Sequence, residues 1–387
     1  MPQRITGTYI ESTVAGSRYR AFVPAPLPPE PPLDLARPEL IALKERADQA
    51  LGRLDGITLL LPDPEIFLYQ YVCKEALLSS QIEGTQSSLS DLLLFELDEP
   101  PGVPLDDVEE VSNYVAALNH GLRRMREDGF PLSLRLLREM HEKLLHGGRG
   151  AHKTSGEFRR SQNWIGGRSP AMASFVPPPP EHLAKCLGDF ETFLHAGDVP
   201  TVVRAALAHV QFETIHPFLD GNGRLGRLLI TLVLCSDGVL REPSLYLSLY
   251  FKTHRARYYA LLDAVRTQGD WEGWLAFFLD GIAEAAQQAV DTAQRLLQLL
   301  AVDRARIAGL GRRAGTVGQV FEQIARRVVL TVPQVAPSLP MSAPTIRAAI
   351  DALVELEIVN ELTGQRRNRV FAYQAYLAIL SEGAQPL

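Results

Sequence analysis

Apolar residues recur at helical spacing along most of this chain. Between residues 38 and 54, Leu40, Leu43, Ala47, Ala50, Leu51 and Leu54 gather towards one side. Asp63 and Pro64 mark the next start, ahead of an apolar pattern through Phe67, Tyr71, Leu77 and Leu78 that the charged pair Lys74 and Glu75 interrupts. This helix is predicted to stop at Glu83-Gly84, where glycine can take the left-handed conformation. Similar patterns predict helices over 106–127, 133–145, 180–194, 200–215, 224–235, 246–268, 271–301 and 317–328. The expectation is a mainly α fold.

Three stretches depart from that pattern. Residues 21–32 are proline-rich, which removes backbone donors and favours extended structure, so an arm lying across the body is predicted. Residues 154–180 combine Trp164-Ile165-Gly166-Gly167 with the prolines 177–180 and a short alternation at Met172, Ser174 and Val176. They predict a β-hairpin or surface flap able to present backbone edges to an extended partner segment. From 309 onwards an arginine-rich boundary precedes a helix, a proline-rich turn and a helix over 342–357 that Ser342 can cap. Strand, basic turn (364–369) and strand (370–373) follow, giving a winged helix-turn-helix expectation for residues 301–387.

Composition adds exclusions. At 46% hydrophobic and 22% charged residues, the chain is that of an ordinary globular protein, not a collagen, a mucin or a disordered segment. A net charge of -6 argues against a surface broadly built to wrap nucleic acid. Apolar runs such as 228–235 fall short of a membrane span, and residues 1–7 lack the apolar core of a secretory signal. Three widely spaced cysteines, Cys73, Cys186 and Cys235, suggest neither a disulfide framework nor a zinc site, so a cytoplasmic location is expected.

The chemistry concentrates in residues 215–227, Ile-His-Pro-Phe-Leu-Asp-Gly-Asn-Gly-Arg-Leu-Gly-Arg. A glycine-rich loop entering a helix N-terminus suits phosphate, because free N–H groups converge there and the helix dipole adds a favourable field. His216 is a candidate general base, and Asp220 a candidate ligand for a divalent cation between phosphate oxygens. Arg224 and Arg227 are candidate guanidinium clamps, and Asn222 can add a directional hydrogen bond. This is not a Walker A loop, since the lysine is absent and the histidine precedes the glycines.

Residues 216–227 resemble the Fic family motif HPFx[D/E]GNGRxxR at every specified position, and the resemblance extends over about 9–277. It implies a Fic-type helical core that transfers AMP from ATP to a Ser, Thr or Tyr hydroxyl of a target protein, with Mg²⁺. His216 would deprotonate the hydroxyl, and Asp220 would bind Mg²⁺. Gly221, Asn222 and Gly223 would hold the phosphates, with Phe218 counted among the nucleotide-site residues. Arg224 would support the β-phosphate and Arg227 would orient the γ-phosphate. Upstream, Ser79, Glu83 and Gly84 resemble the family's inhibitory motif [S/T]xxxE[G/N], followed by a serine-rich linker over 85–90. That likeness implies that Glu83 pairs with Arg227 and occupies space needed by the γ-phosphate. Some inhibited members also remove AMP, so a de-AMPylating enzyme is an alternative.

The expected organisation is an N-terminal arm and inhibitory region (1–105), a catalytic core (106–300) and a winged-helix unit (301–387). Gly156, Phe158, Arg159, Asn163, Trp164, Ile165 and Gly166 precede the flap, whose residues 172–175 would align the target beside His216 by the same resemblance. Tyr258, Tyr259, Trp271 and Trp274 are read as helix packing ahead of adenine contacts, and His209 and His254 lack metal-ligand spacing. In the terminal unit, 10 basic and 7 acidic residues leave a small positive excess, with Arg366, Arg367 and Arg369 in the wing and Thr345 and Arg347 on the preceding helix. A DNA-binding or transcription-related regulator, a scaffold that only binds nucleotide, and a homodimer therefore remain open beside the enzyme.

Overall fold

The computed structural model describes residues 4–14, 16–59, 64–97, 100–147, 153–364 and 369–386. Helices dominate, and their ends follow the local chemistry. Prolines at the first positions open α1 (Pro38–Thr58), α2 (Pro64–Ile82) and α6 (Pro180–Leu194). Between them lie α3 (Leu89–Phe95), α4 (Leu105–Arg126) and α5 (Leu134–Leu144), the last capped by the Ser133 hydroxyl on the Leu136 N–H. Asp63, read as part of the α2 start, lies outside the described residues.

The centre of the molecule is the pair α7 (Thr201–Ile215) and α8 (Asn222–Ser236), joined by the glycine-rich loop. The helix predicted over 246–268 is broken at His254 into α9 (Ser248–Thr253) and α10 (Arg255–Gln268). α11 (Trp271–Ala308) then runs unbroken through residues 300 and 301 and lies along α1. Trp271, Trp274 and Tyr258 are buried, the Trp274 indole donating to the Ala206 carbonyl at 2.9 Å, whereas Tyr259 is half exposed. His209 bridges α7, α8 and α10, with Nδ1 2.9 Å from the Gly226 carbonyl and Nε2 2.8 Å from the Tyr258 hydroxyl.

Strands are few. The N-terminal arm carries β1 (Gly7–Val14) and β2 (Ser17–Pro24), an antiparallel hairpin that the prolines just after it obscured. It crosses the body as expected: the Phe22 N–H donates to the Val176 carbonyl at 2.9 Å, and Gln211 donates to the Ala25 carbonyl at 2.9 Å. The flap is less of a hairpin than its alternation suggested, with one bridge between Ile165 and Phe175 around a short turn at Pro170–Met172. Gly166 and Gly167, both at positive φ, turn the chain away before a ladder can extend.

The last unit comprises α12 (Ala314–Arg327), β3 (Val329–Thr331), α13 (Val332–Val335), α14 (Ala343–Glu355), β4 (Asn360–Glu361), β5 (Val370–Ala372) and α15 (Gln374–Leu380). Its strands form an antiparallel sheet in the order β3-β5-β4, and Ser342 caps α14 on the Thr345 N–H. Arg366 and Arg367 lie outside the described residues. One continuous apolar cluster runs from Leu40 to Ala384, so this unit shares the core of the rest. Among the described residues, no helix is long and apolar enough to cross a membrane. Replacing Trp274 removes both a central ring and its hydrogen bond: Trp274→Ala is expected to lower unfolding stability by about 3–5 kcal/mol, read from denaturant midpoints.

Candidate active site

α7 ends where His216 adopts a left-handed conformation (φ 49°, ψ 61°), its N–H still donating to the Phe212 carbonyl at 2.9 Å. The following loop is pinned by buried polar groups. Arg159 donates through Nε to the His216 carbonyl at 2.9 Å and through Nη2 to the Pro178 carbonyl at 2.6 Å. Asn163 donates to the Phe218 carbonyl at 2.9 Å. Asn222 is locked on the same residue, accepting from the Phe218 N–H and donating to its carbonyl, both at 2.9 Å. Gly221, at φ 75°, then opens α8 in a conformation that side chains resist.

Two of the predicted site residues have side chains that hold the loop itself. Phe218 is fully buried, stacked on His141 with ring centroids 3.7 Å apart, so it anchors the loop from beneath. The Asn222 side chain is likewise bound to the loop backbone, which leaves the start of α8 itself to meet an anion. His141 completes this support: Gly156 N–H donates to Nδ1 at 2.9 Å, so Nε2 carries the proton offered to the Asp220 carbonyl at 3.0 Å. Burial pushes the His141 imidazole down to about 4, which keeps it neutral.

Above the loop lies a pocket of about 320 Å³ lined by His216, Asp220, Gly221, Asn222, Gly223 and Arg224, with Glu83, Glu110, Lys153 and Leu219. The His216 Nδ1 faces the Glu213 carbonyl at 3.3 Å, a contact that favours the proton on Nδ1 and leaves Nε2 as the acceptor. Burial, with help from the Arg266 and Arg159 charges, lowers the His216 pKa to about 4. The imidazole is therefore neutral at physiological pH, as a proton acceptor must be. Glu213 is also buried, its carboxyl pushed up to about 7 by desolvation.

Three cation–carboxylate pairs surround this space. Arg224 Nη1 donates to Glu110 Oε2 at 2.9 Å, Lys153 Nζ to Asp220 Oδ2 at 2.9 Å, and Arg227 Nη2 to Glu83 Oε1 at 2.7 Å. Arg227 is further fixed by Ser79, donating through Nε to the hydroxyl at 2.8 Å and through Nη2 to the carbonyl at 2.9 Å. Ser79 and Glu83 thus meet Arg227 together, and Gly84, at φ 106°, turns the chain away from α2. Glu83 lies so close to the loop that a Cβ on Gly223 would stand 2.2 Å from its Oε1. Burial opposes ionisation of Glu83, but the Arg227 and Arg224 guanidiniums outweigh it and hold the carboxyl below its ordinary range. Arg227 is 2% exposed while Glu83 is 38% exposed, so the carboxylate occupies the open side of a buried cation.

The last turn of α2 is tied down from behind as well. Gln81 donates to the Ser87 and Ala384 carbonyls, each at 2.9 Å, and accepts from Lys252 Nζ at 2.7 Å. Lys252 also donates to the Gln385 carbonyl. Glu110, Lys153 and His141 were not singled out from sequence, and Asn163 was named only as a residue preceding the flap. Glu110 and His141 did carry a signal, as polar residues on otherwise apolar helix faces beside Val111 and Met140. Lys153, in an irregular segment, carried none.

A Mg²⁺ ion fits this donor set only with help from a ligand. Among the described residues, no group of three His, Cys, Asp or Glu side chains is placed to hold a metal. Asp220 offers one carboxylate, and Mg²⁺ in nucleotide sites is commonly held by one or two carboxylates plus phosphate oxygens and water.

The fold and the loop define a class. Residues 41–123 match the Fic/DOC family N-terminal domain and residues 131–234 the Fic/DOC family domain, so the chain carries Fic/DOC family domains. It is 31% identical over 204 residues to a protein named protein adenylyltransferase Fic from Aedes aegypti, covering 51% of this chain and 38% of that one. The namesake from Drosophila virilis is 35% identical over 152 residues, covering 38% of this chain and 28% of that one. The chain thus spans well under half the length of these relatives. In architecture it is similar to a Fic family protein from Desulfovibrio desulfuricans G20, with a TM-score of 0.58 at 20% identity over 87% of this chain and 96% of the other. Fic-1 from C. elegans gives a TM-score of 0.51 at 23% identity over 67% and 74%. These solved structures establish a Fic fold.

The protonation state of His216 is directly measurable. Its ring C–H resonances are expected to titrate with a midpoint near pH 4, and a midpoint near the ordinary value of about 6.5 would contradict a neutral, desolvated base.

Proposed function

We propose that this chain is a protein adenylyltransferase that transfers AMP from ATP to a Ser, Thr or Tyr hydroxyl of a target protein and is restrained by its own Glu83. The observation that carries the reading is the meeting, in one pocket, of a neutral His216, Asp220, Arg224 and the N-terminus of α8. The curated name of the relatives supports the same chemistry.

In the proposed reaction the target oxygen attacks the α-phosphorus of ATP as its proton passes to Nε2 of His216. The new O–P bond forms while the bond from the α-phosphorus to the bridging oxygen breaks, and that oxygen leaves with pyrophosphate. Backbone N–H groups at the start of α8 and the Arg224 guanidinium receive the phosphates, where fixed donors and the helix dipole stabilise developing charge. Asp220 would hold Mg²⁺, which supplies charge neutralisation at the phosphates when bound. The flap, bridged at Ile165 and Phe175, begins just after Asn163, which donates to the Phe218 carbonyl of this loop, and the Phe175 ring lies under the Arg266 guanidinium at 4.0 Å. It is the proposed aligner of the target segment.

Restraint follows from Arg227. With Glu83 and Ser79 filling its hydrogen-bond fork, and Glu83 seated over Gly223, a γ-phosphate and Glu83 compete for one guanidinium. The C-terminal unit is read as a winged helix-turn-helix, whose exposed Thr345 and Arg347 on α14 make duplex DNA a second ligand class to test by salt-dependent binding.

Labelled-ATP transfer and intact-mass measurements test the main reading. Glu83→Gly is expected to raise AMP incorporation by about tenfold or more, the scale of losing one charged competitor. Adding His216→Ala is expected to lower it by about a hundredfold or more while nucleotide still binds. Undiminished transfer without His216 would remove it from the mechanism.

A further inference from the structure

Resting on the nucleotide-transfer reading, a further residue of the pocket can be assigned. Of the three cations around it, Arg224 and Arg227 are almost completely buried and their guanidiniums are fixed against other helices. Lys153 differs: its side chain is 40% exposed and that of its partner Asp220 is 31% exposed. Exposed ion pairs of this kind contribute little stability and exchange readily. An ammonium on a flexible four-carbon stem is also a common point-charge ligand for phosphate.

The geometry at Asp220 makes the exchange necessary. Oδ1 accepts the Gly221 N–H at 2.7 Å with Arg224 Nη2 3.7 Å away, and Oδ2 accepts Lys153 Nζ at 2.9 Å. A divalent cation that took Oδ2 at about 2.0–2.1 Å would face the ammonium at close range, and like charges so placed repel strongly. Lys153 lines the same pocket as Gly221, Gly223 and Arg224, so the phosphate oxygens brought to that loop are the next anions within its reach.

We propose that Lys153 is a phosphate-binding residue of the nucleotide pocket, held in reserve on Asp220 until a divalent cation takes that carboxylate. Without metal, Asp220 restrains the lysine and adds its own negative charge against an incoming nucleotide. With metal, Asp220 and Lys153 act on the same phosphates, one through the cation and one directly.

Calorimetric titration of the full chain with AMP-PNP, in the Glu83→Gly background, separates these roles without relying on turnover. In excess Mg²⁺, Lys153→Gln is expected to weaken AMP-PNP by about tenfold, and Lys153→Arg, which keeps the charge, to stay within about threefold. In EDTA, Asp220→Asn is expected to strengthen AMP-PNP binding, partly by removing a like charge and partly by releasing Lys153, and Lys153→Gln to reduce that gain. Affinity within about twofold after Lys153→Gln in Mg²⁺, or a gain from Asp220→Asn that Lys153→Gln leaves undiminished, overturns the assignment alone. Absence of AMP-PNP binding by the Glu83→Gly protein overturns the assignment and the nucleotide-transfer reading together.

Discussion

The arrangement of this molecule turns on the burial of the Arg227 guanidinium. A charge removed from water needs an opposite charge and a filled set of hydrogen bonds, or its desolvation is prohibitive. Ser79 and Glu83 supply the charge and three hydrogen bonds, to Nε and Nη2, from the end of α2, so the first turns of α8 and the last turn of α2 are held against one another. Because α8 also begins at the glycine-rich loop, one guanidinium sets the position of that loop and of the end of α2 together. The contacts of α2 with α4, α8, α9 and α12 then fix that helix in the body.

Around the pocket the same logic is repeated with different strength. Arg227, Arg224 and Lys153 each meet a carboxylate drawn from a different part of the chain, respectively Glu83, Glu110 and Asp220. Under the proposed reading, a phosphate chain would arrive at a place where positive charge is already engaged. Its affinity is set by the difference between new contacts and those it replaces, not by their sum. The Glu110 pair, buried on both sides, is the least able to yield; the Asp220 pair, open to solvent, is the most able.

The catalytic loop was legible because its chemistry is contiguous: histidine, carboxylate, glycines and arginines follow one another in thirteen residues. Most helices were legible through periodicity and caps such as Ser133 and Ser342. What escaped was non-local or masked by a competing signal. The 7–24 hairpin was overshadowed by the prolines that follow it, and α3 by the serines around it, although Ser88 and Asp91 form a capping box. His141 and Glu110 act across distances of tens of residues, which no local pattern records. Phe218 and Asn222 show the converse: both sit inside the motif, yet their side chains serve the loop's own shape.

The bonds from Gln81 and Lys252 to the carbonyls of Ala384 and Gln385 bear on the order in which the protein can be completed. Synthesis runs from the N-terminus, and domains generally fold as they emerge. During translation, α2, α7, the loop and α8 are all made while residues 384 and 385 are still to come. The brace behind the Glu83 turn thus forms only well after α2 and α8 have been made, and every nascent chain passes through a period in which its glycine-rich loop exists without it.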